Sequence, residues 1–124
     1  MKYLVLMYAD PAATAAMTAE ERADVFRRHE ALHRDLDGSG EILNGAGLAY
    51  PEDTATLRGT PDGPVTTTDG PLVAATEQLT AYYVLDCETP ERARAIAERV
   101  VDFHVVAVEV RPIHDSFGMD HDSD

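Results

Sequence analysis

The segment VTTTDGPLVAATEQLTAYYVLDCETPE, Val65 to Glu91, sets a turn, a strand and a helix start in a row. Asp69-Gly70-Pro71 is turn chemistry: the aspartate can accept backbone amides two residues on, glycine tolerates positive φ, and proline stiffens the exit toward Gln78. Leu79 to Cys87 reads as an apolar strand rich in tyrosine and aliphatics. Thr89-Pro90-Glu91 supplies a capping residue with proline at the first helical position. The helix that follows carries an inward stripe of Ala93, Ile96, Ala97 and Val100.

The N-terminal region repeats this order. Lys2 to Tyr8, KYLVLMY, is an apolar strand, broken by Asp10-Pro11 and followed by an alanine-rich connection. Thr18-Ala19-Glu20-Glu21 is a capping box, so a helix starts there. Its stripe is Val25, Phe26, His29, Leu32, His33 and Leu36, and Asp37-Gly38-Ser39-Gly40 ends it. From Glu41 to Thr68, glycines and prolines cut the chain into short extended pieces. Thr54 to Arg58 and Val65 to Thr67 read as the arms of a hairpin turning at Thr60 to Gly63. Val105 to Ile113, VVAVEVRPI, is a last strand. The reading gives one domain over 1–115 and an acidic tail, 116–124, expected to be poorly ordered.

Strand, helix, extended pieces, strand, helix, strand fits two βαβ-like halves. The expected fold is α+β, a ferredoxin-like βαββαβ antiparallel sheet with two helices on one face. The other face of such a sheet meets water and should alternate polar with apolar residues. KYLVLMY and AYYVLD do not alternate in that way, so something must cover their second face. A second copy is the economical cover, and a homodimer with packed sheets is expected.

With 124 residues, 44% of them hydrophobic, the chain has the composition of one globular domain with a real core. A net charge of -13 repels nucleic-acid phosphates and anionic membrane surfaces, so neither is an expected partner. No apolar run approaches the roughly 18 residues of a membrane span, and no cleavage-type segment precedes the first strand. Cys87 is the sole cysteine and can form no internal disulfide. Cytoplasmic residence is the expectation.

TTTDGPLVAATEQLTAYYVLD resembles the DGPF signature of the YCII-related family, roughly TDGPFAETKEQLGGYY. The resemblance extends to KYLVLMYAD, to EILNGAGL after the first helix and to the terminal EVRPI, covering the chain up to Ile113. Glu77, Gln78, Leu79, Tyr82 and Tyr83 match the signature. Leu72 stands for its phenylalanine, Ala74 for its glutamate, Thr76 for its lysine and Thr80-Ala81 for its glycine pair. The resemblance implies a dimeric α/β barrel of the ferredoxin-like type. It also implies an acid-base dyad of a helix histidine and a turn aspartate, carried here by His29 and Asp69, although many members carry tyrosine at the position of His29. It allows a further protein partner, a sigma-type transcription factor.

Read from the residues alone, His29 shares a helix face with Phe26, Leu32 and Leu36 and points toward the sheet, either as a proton-transfer group or as a hydrogen-bonded core histidine. Asp69 is either its orienter or a turn former. In VVAVEVRPI, Glu109 and Arg111 share a face with Ala107; Arg111 could hold a carboxylate or enolate oxygen with Glu109 beside it, or the two could form an ion pair. Tyr82 and Tyr83 point to opposite faces, so one can line a ligand cavity, and Tyr82 is the candidate ligand contact. Cys87 reads as a packed thiol. His114, Asp115, Asp120, His121 and Asp122 are metal-ligand types on a loose tail, and no metal is expected. No glycine-rich phosphate loop is present, so no cofactor is expected either. Two functions stay open: cofactor-independent lyase, isomerase or hydrolase chemistry on a small enolisable or aromatic compound in an intersheet cavity, and a non-catalytic dimeric ligand-binding or regulatory module.

Overall fold

A computed structural model describes residues 1–102, 104–115 and 117. Its elements are β1 (Lys2–Ala9), α1 (Pro11–Ala15), α2 (Ala19–Asp35), β2 (Ile42–Gly47), a 3-10 turn (Pro51–Asp53), β3 (Ala55–Arg58), β4 (Thr66–Asp69), β5 (Gln78–Asp86), α3 (Pro90–Glu98) and β6 (Ala107–Pro112). The main sheet runs β2-β5-β1-β6 with every neighbouring pair antiparallel. β3 and β4 form a separate two-stranded hairpin. Without that hairpin the order is βαββαβ with β5 inserted between β1 and β2, the ferredoxin-like arrangement.

Local chemistry explains the elements. Thr18 accepts from the Glu21 amide at 3.1 Å while the Glu21 carboxylate accepts from the Thr18 amide at 2.9 Å, closing the capping box that starts α2. Thr89 caps α3 by accepting from the Arg92 amide, with Pro90 inside the first turn. Gly38 and Gly40 carry the chain away from α2 at φ of 82° and 75°. The turn near the start of the quoted segment rests on Gly70, at φ 104°, whose amide donates to Thr54 O at 2.6 Å and whose carbonyl accepts from the Thr56 hydroxyl at 2.7 Å. The Gln78 side-chain amide then donates to Val73 O and Ala75 O, clipping the loop to the first residue of β5. This is why a stiff turn precedes so apolar a strand: it delivers the loop to Gln78.

β1 alternates strictly, with Tyr3, Val5, Met7 and Ala9 buried and the residues between them half-buried. The buried row joins Tyr83 and Leu85 of β5, Leu32 of α2 and Ala93, Ile96 and Ala97 of α3 in one core, so both helices cover this face. Pairing of Leu4 with Val84 and Arg111, and of Leu6 with Tyr82 and Glu109, places those residues on the opposite face. Val84 is 4% exposed yet stands outside the helix-side core.

Two connections hold more structure than expected, and one side chain lies elsewhere than expected. The stretch read as broken extended pieces contains β2, an edge strand of the main sheet, and the alanine-rich connection contains α1, capped by Asp10. Phe26, placed on the inward stripe of α2, is 64% exposed, because only the narrower row through Leu32 meets the sheet. The tail expected to be poorly ordered lies, apart from Phe117, outside the described residues. No helix among the described residues is long and apolar enough to cross a membrane.

Candidate functional site

α2 presents His29 and His33, one helical turn apart, to the same partner. The Tyr83 hydroxyl lies 3.1 Å from His29 Nδ1 and 3.0 Å from His33 Nε2. Tyr83 reaches them because it stands on the helix-covered face of the central strand β5. Its ring packs against β2 at Gly45, where a side chain would collide with it. The ring is buried and the hydroxyl half-enclosed, which pushes the phenol above its ordinary range and keeps it protonated.

Two cavities meet at His29. One of about 870 Å³ opens between the C-terminal half of α2, β2 and β5, and His33, Asp37, Asn44 and Tyr83 stand in its wall. The other, of about 380 Å³, runs under α1 and is walled by Pro11, Thr14, Tyr50, Gln78 and His104. Met7, His29, Gly47 and Ala81 line both. Among the described residues His29 Nε2 has no hydrogen-bond partner and is not sealed from solvent, whereas its Nδ1 is engaged by Tyr83.

Electrostatics leave His29 neutral near pH 7. Burial of the half-buried ring lowers its pKa, the Asp102 carboxylate pulls the other way, and His33, His104 and Arg28 lower it further. Asp102 itself is committed to the connection between α3 and β6, accepting from the amides of His104 and Val105 at 2.6 and 2.7 Å. Both ring nitrogens of His104 are buried without a partner among the described residues.

The residues singled out from the sequence divide into three groups. His29 stands at the cavities, and Tyr82 contributes to the wall of the larger one although its side chain belongs to the opposite sheet face from Tyr83. Asp69 lies exposed at the end of β4, and among the described residues its carboxylate makes no hydrogen bond or ion pair; within the chain the hydroxyl of Tyr83, not this carboxylate, meets His29. Glu109 and Arg111 lie on the face of β6 away from the helices. There Glu109 accepts from the Tyr8 hydroxyl at 2.5 Å and, with its charge and the burial of the phenol, holds Tyr8 above its ordinary pKa range against the weaker opposing pull of Arg111. The single cavity holding His29, Asp69 and Arg111 is therefore not formed within one chain.

Cys87 is buried, and burial raises its pKa, as befits a packed thiol. His114 and Asp115 are exposed with Nε2 of the one 3.8 Å from Oδ2 of the other, and Asp120, His121 and Asp122 lie outside the described residues. Sequence reasoning missed His33 and Tyr83 as site residues and Gly45 as their support. The spacing of His29 and His33 was the available signal; nothing in the sequence tied either to Tyr83.

Comparison with known proteins agrees with the signature. The family model of the YCII-related domain matches residues 1–115, and the chain belongs to that family. An uncharacterised protein of Rhizobium meliloti (strain 1021) is 32% identical over 115 residues, 91% of this chain and 92% of its own. A solved structure of 5-chloro-2-hydroxyhydroquinone dehydrochlorinase from Burkholderia phenoliruptrix AC1100, in complex with 2,5-dihydroxybenzoquinone, aligns over 94% of this chain and 96% of its own, with a TM-score of 0.49 and 14% identity.

Proposed function

We propose that this member of the YCII-related family binds a small enolisable or aromatic compound beside His29 and moves a proton on or off it, without a cofactor, in lyase, isomerase or hydrolase chemistry. One observation carries the reading: a neutral histidine at the junction of two cavities, one ring nitrogen held by Tyr83 and the other without a partner among the described residues. A general base must reach the proton it takes and be unprotonated at the working pH, and a neutral imidazole placed in this way meets both requirements. Tyr83, not a carboxylate, orients it. The smaller cavity would take an apolar ring and the larger one the polar part of the ligand.

The assembly that goes with this reading is a homodimer in which a second copy covers the Leu4, Leu6, Tyr82 and Val84 face. Glu109 and Arg111 then belong to the subunit contact, on the far side of the sheet from His29.

The test is solvent-deuterium exchange. A panel of small aromatic and 2-oxo carboxylic acids is incubated in D2O with wild type and His29→Gln, exchange at the carbon beside the carbonyl is followed by NMR, and melting temperatures are compared. The reading expects at least one acid to shift the His29 ring resonances and to exchange with wild type only. It fails when no acid shifts His29, or when His29→Gln exchanges as fast as wild type.

A further inference from the structure

The Tyr83 hydroxyl holds one proton and stands within hydrogen-bond distance of two imidazole nitrogens, His29 Nδ1 at 3.1 Å and His33 Nε2 at 3.0 Å. One phenol proton cannot serve both rings, so when it is spent on one ring the other donates its N–H to the phenol oxygen; were both rings to donate, that proton would have no protein acceptor among the described residues. The tautomers of the two histidines are thereby tied together. In one arrangement His29 Nδ1–H donates to Tyr83 and Tyr83 donates to His33 Nε2, which leaves His29 Nε2 as a lone pair. In the other, His33 Nε2–H donates to Tyr83 and Tyr83 donates to His29 Nδ1, so neutral His29 carries its proton on Nε2.

We propose that Tyr83 and His33 are positioning residues that decide whether His29 presents a base or a hydrogen-bond donor to the cavity. A protonated His33 has N–H on both nitrogens and can only donate, which favours the second arrangement, the one that then gives the phenol proton a protein acceptor. A neutral His33 therefore favours a basic His29. The proposal rests on the reading of His29 as the proton-transfer group and extends it with a route for the proton. In the first arrangement a ligand proton taken by His29 Nε2 makes that ring an imidazolium. Its Nδ1 proton passes to the Tyr83 oxygen as the Tyr83 proton passes to His33 Nε2. The cation is then on His33, an exposed residue, which releases one proton from Nδ1 to water. One proton enters, one leaves, and both rings finish neutral in the second arrangement.

The surroundings suit this relay. Tyr83 stays protonated because burial raises its pKa, so the bridge always has its one proton. His29 is faced by Arg28 and His33 of its own helix and by Asp102 and His104 from the connection between α3 and β6. His33 shares the cavity wall with Asp37 and meets Tyr83 from β5. Gly45 leaves room beside β2 for the ring of Tyr83, which a side chain there would meet.

Long-range proton–nitrogen NMR correlations distinguish the two neutral tautomers of each ring and need no ligand. The experiment titrates wild type, Tyr83→Phe and His33→Gln from pH 8.5 to 5, with melting temperatures recorded alongside. In wild type His29 should move toward the Nε2–H tautomer as His33 takes up its proton, giving a second inflection in the His29 nitrogen shifts at the midpoint of the His33 titration. Tyr83→Phe, which keeps the ring and its packing, should abolish that inflection, and so should His33→Gln. A His29 tautomer indifferent to His33 in folded wild type overturns the proposal, and so does an inflection that survives in Tyr83→Phe. Failure of the exchange assay with His29 still coupled to His33 would remove the proposed chemistry and leave the coupling standing.

Discussion

A side chain at Gly45 would meet the ring of Tyr83: a methyl built on its backbone comes 2.5 Å from Cδ1, 2.9 Å from Cε1 and 2.8 Å from the Tyr82 carbonyl oxygen. Ring and backbone are both in the way, so neither can yield cheaply. Gly45→Ala should cost about 1–3 kcal/mol, the usual range for overpacking. It should also tilt Tyr83 away from one of its two histidines. Urea unfolding gives the first effect and the histidine nitrogen shifts give the second. A stable variant with unchanged shifts would mean that β2 simply moves aside.

The lowered pKa of His29 makes stability pH-dependent with a definite sign. The unfolded ring titrates near 6.5 and the folded ring below it. As pH falls, the unfolded chain binds the proton first, so the His29 contribution is whole above about 6.5 and is lost as pH falls through the folded value. The ring is only partly buried, which keeps the effect modest. Unfolding free energies at pH 7.5 and 5.0 should fall less steeply in His29→Gln than in wild type. Equal slopes in the two proteins would show the folded ring titrating as it does in the unfolded chain.

The fold was legible wherever a short-range signal carried it. The Thr18 and Glu21 pair, the Thr89-Pro90 start and the two apolar strands each announce themselves within a few residues. β2 did not, because Gly45 is there for Tyr83, a residue far along the chain that occupies the space of its missing side chain. The same distance hid the site. The stripe of α2 aims His29 at the sheet, but its partner on β5 follows only from how helix and strand register, and the conspicuous turn aspartate drew attention instead. One result was deducible in advance. A histidine on a helix points to the covered face, while Glu109 and Arg111 alternate with Val108 and Val110, which pack on that face, so the three cannot share a cavity within one chain.

The turn before β5 offers a contrast between neighbours. Gly70 sits at φ 104° with open space around it, and its amide and carbonyl both bond to the opposing arm of the hairpin. Asp69 is exposed and makes no side-chain bond among the described residues. Gly70→Ala should cost about 1–2 kcal/mol from backbone conformation alone. Asp69→Ala should stay within about 0.5 kcal/mol of wild type. Urea midpoints decide the matter, and the reverse ranking would return a structural role to the carboxylate.

The uncovered sheet face sets the last prediction. Leu4, Leu6 and Tyr8 of β1 lie beside Tyr82 and Val84 of β5, and both long helices are spent on the other side. Burial of such a surface is worth roughly 25 cal/mol per Å², and a standard interface removes about 800 Å² from each partner. Two copies of a chain with a charge of -13 repel each other, so the dimer should tighten as salt screens that charge. Arg111, beside Leu4 and unpaired among the described residues, supplies a cation within the contact that a partner's acid can meet. Leu6→Glu puts a carboxylate next to Glu109 on this face, where the monomer can hydrate it but a packed dimer cannot. Sedimentation at micromolar concentration should find a wild-type dimer that strengthens between 50 mM and 500 mM salt, and a folded Leu6→Glu monomer. A wild-type monomer at both salt concentrations would leave the face exposed to water and sink the packed-sheet assembly, while the site at His29, on the other side of the sheet, would stand.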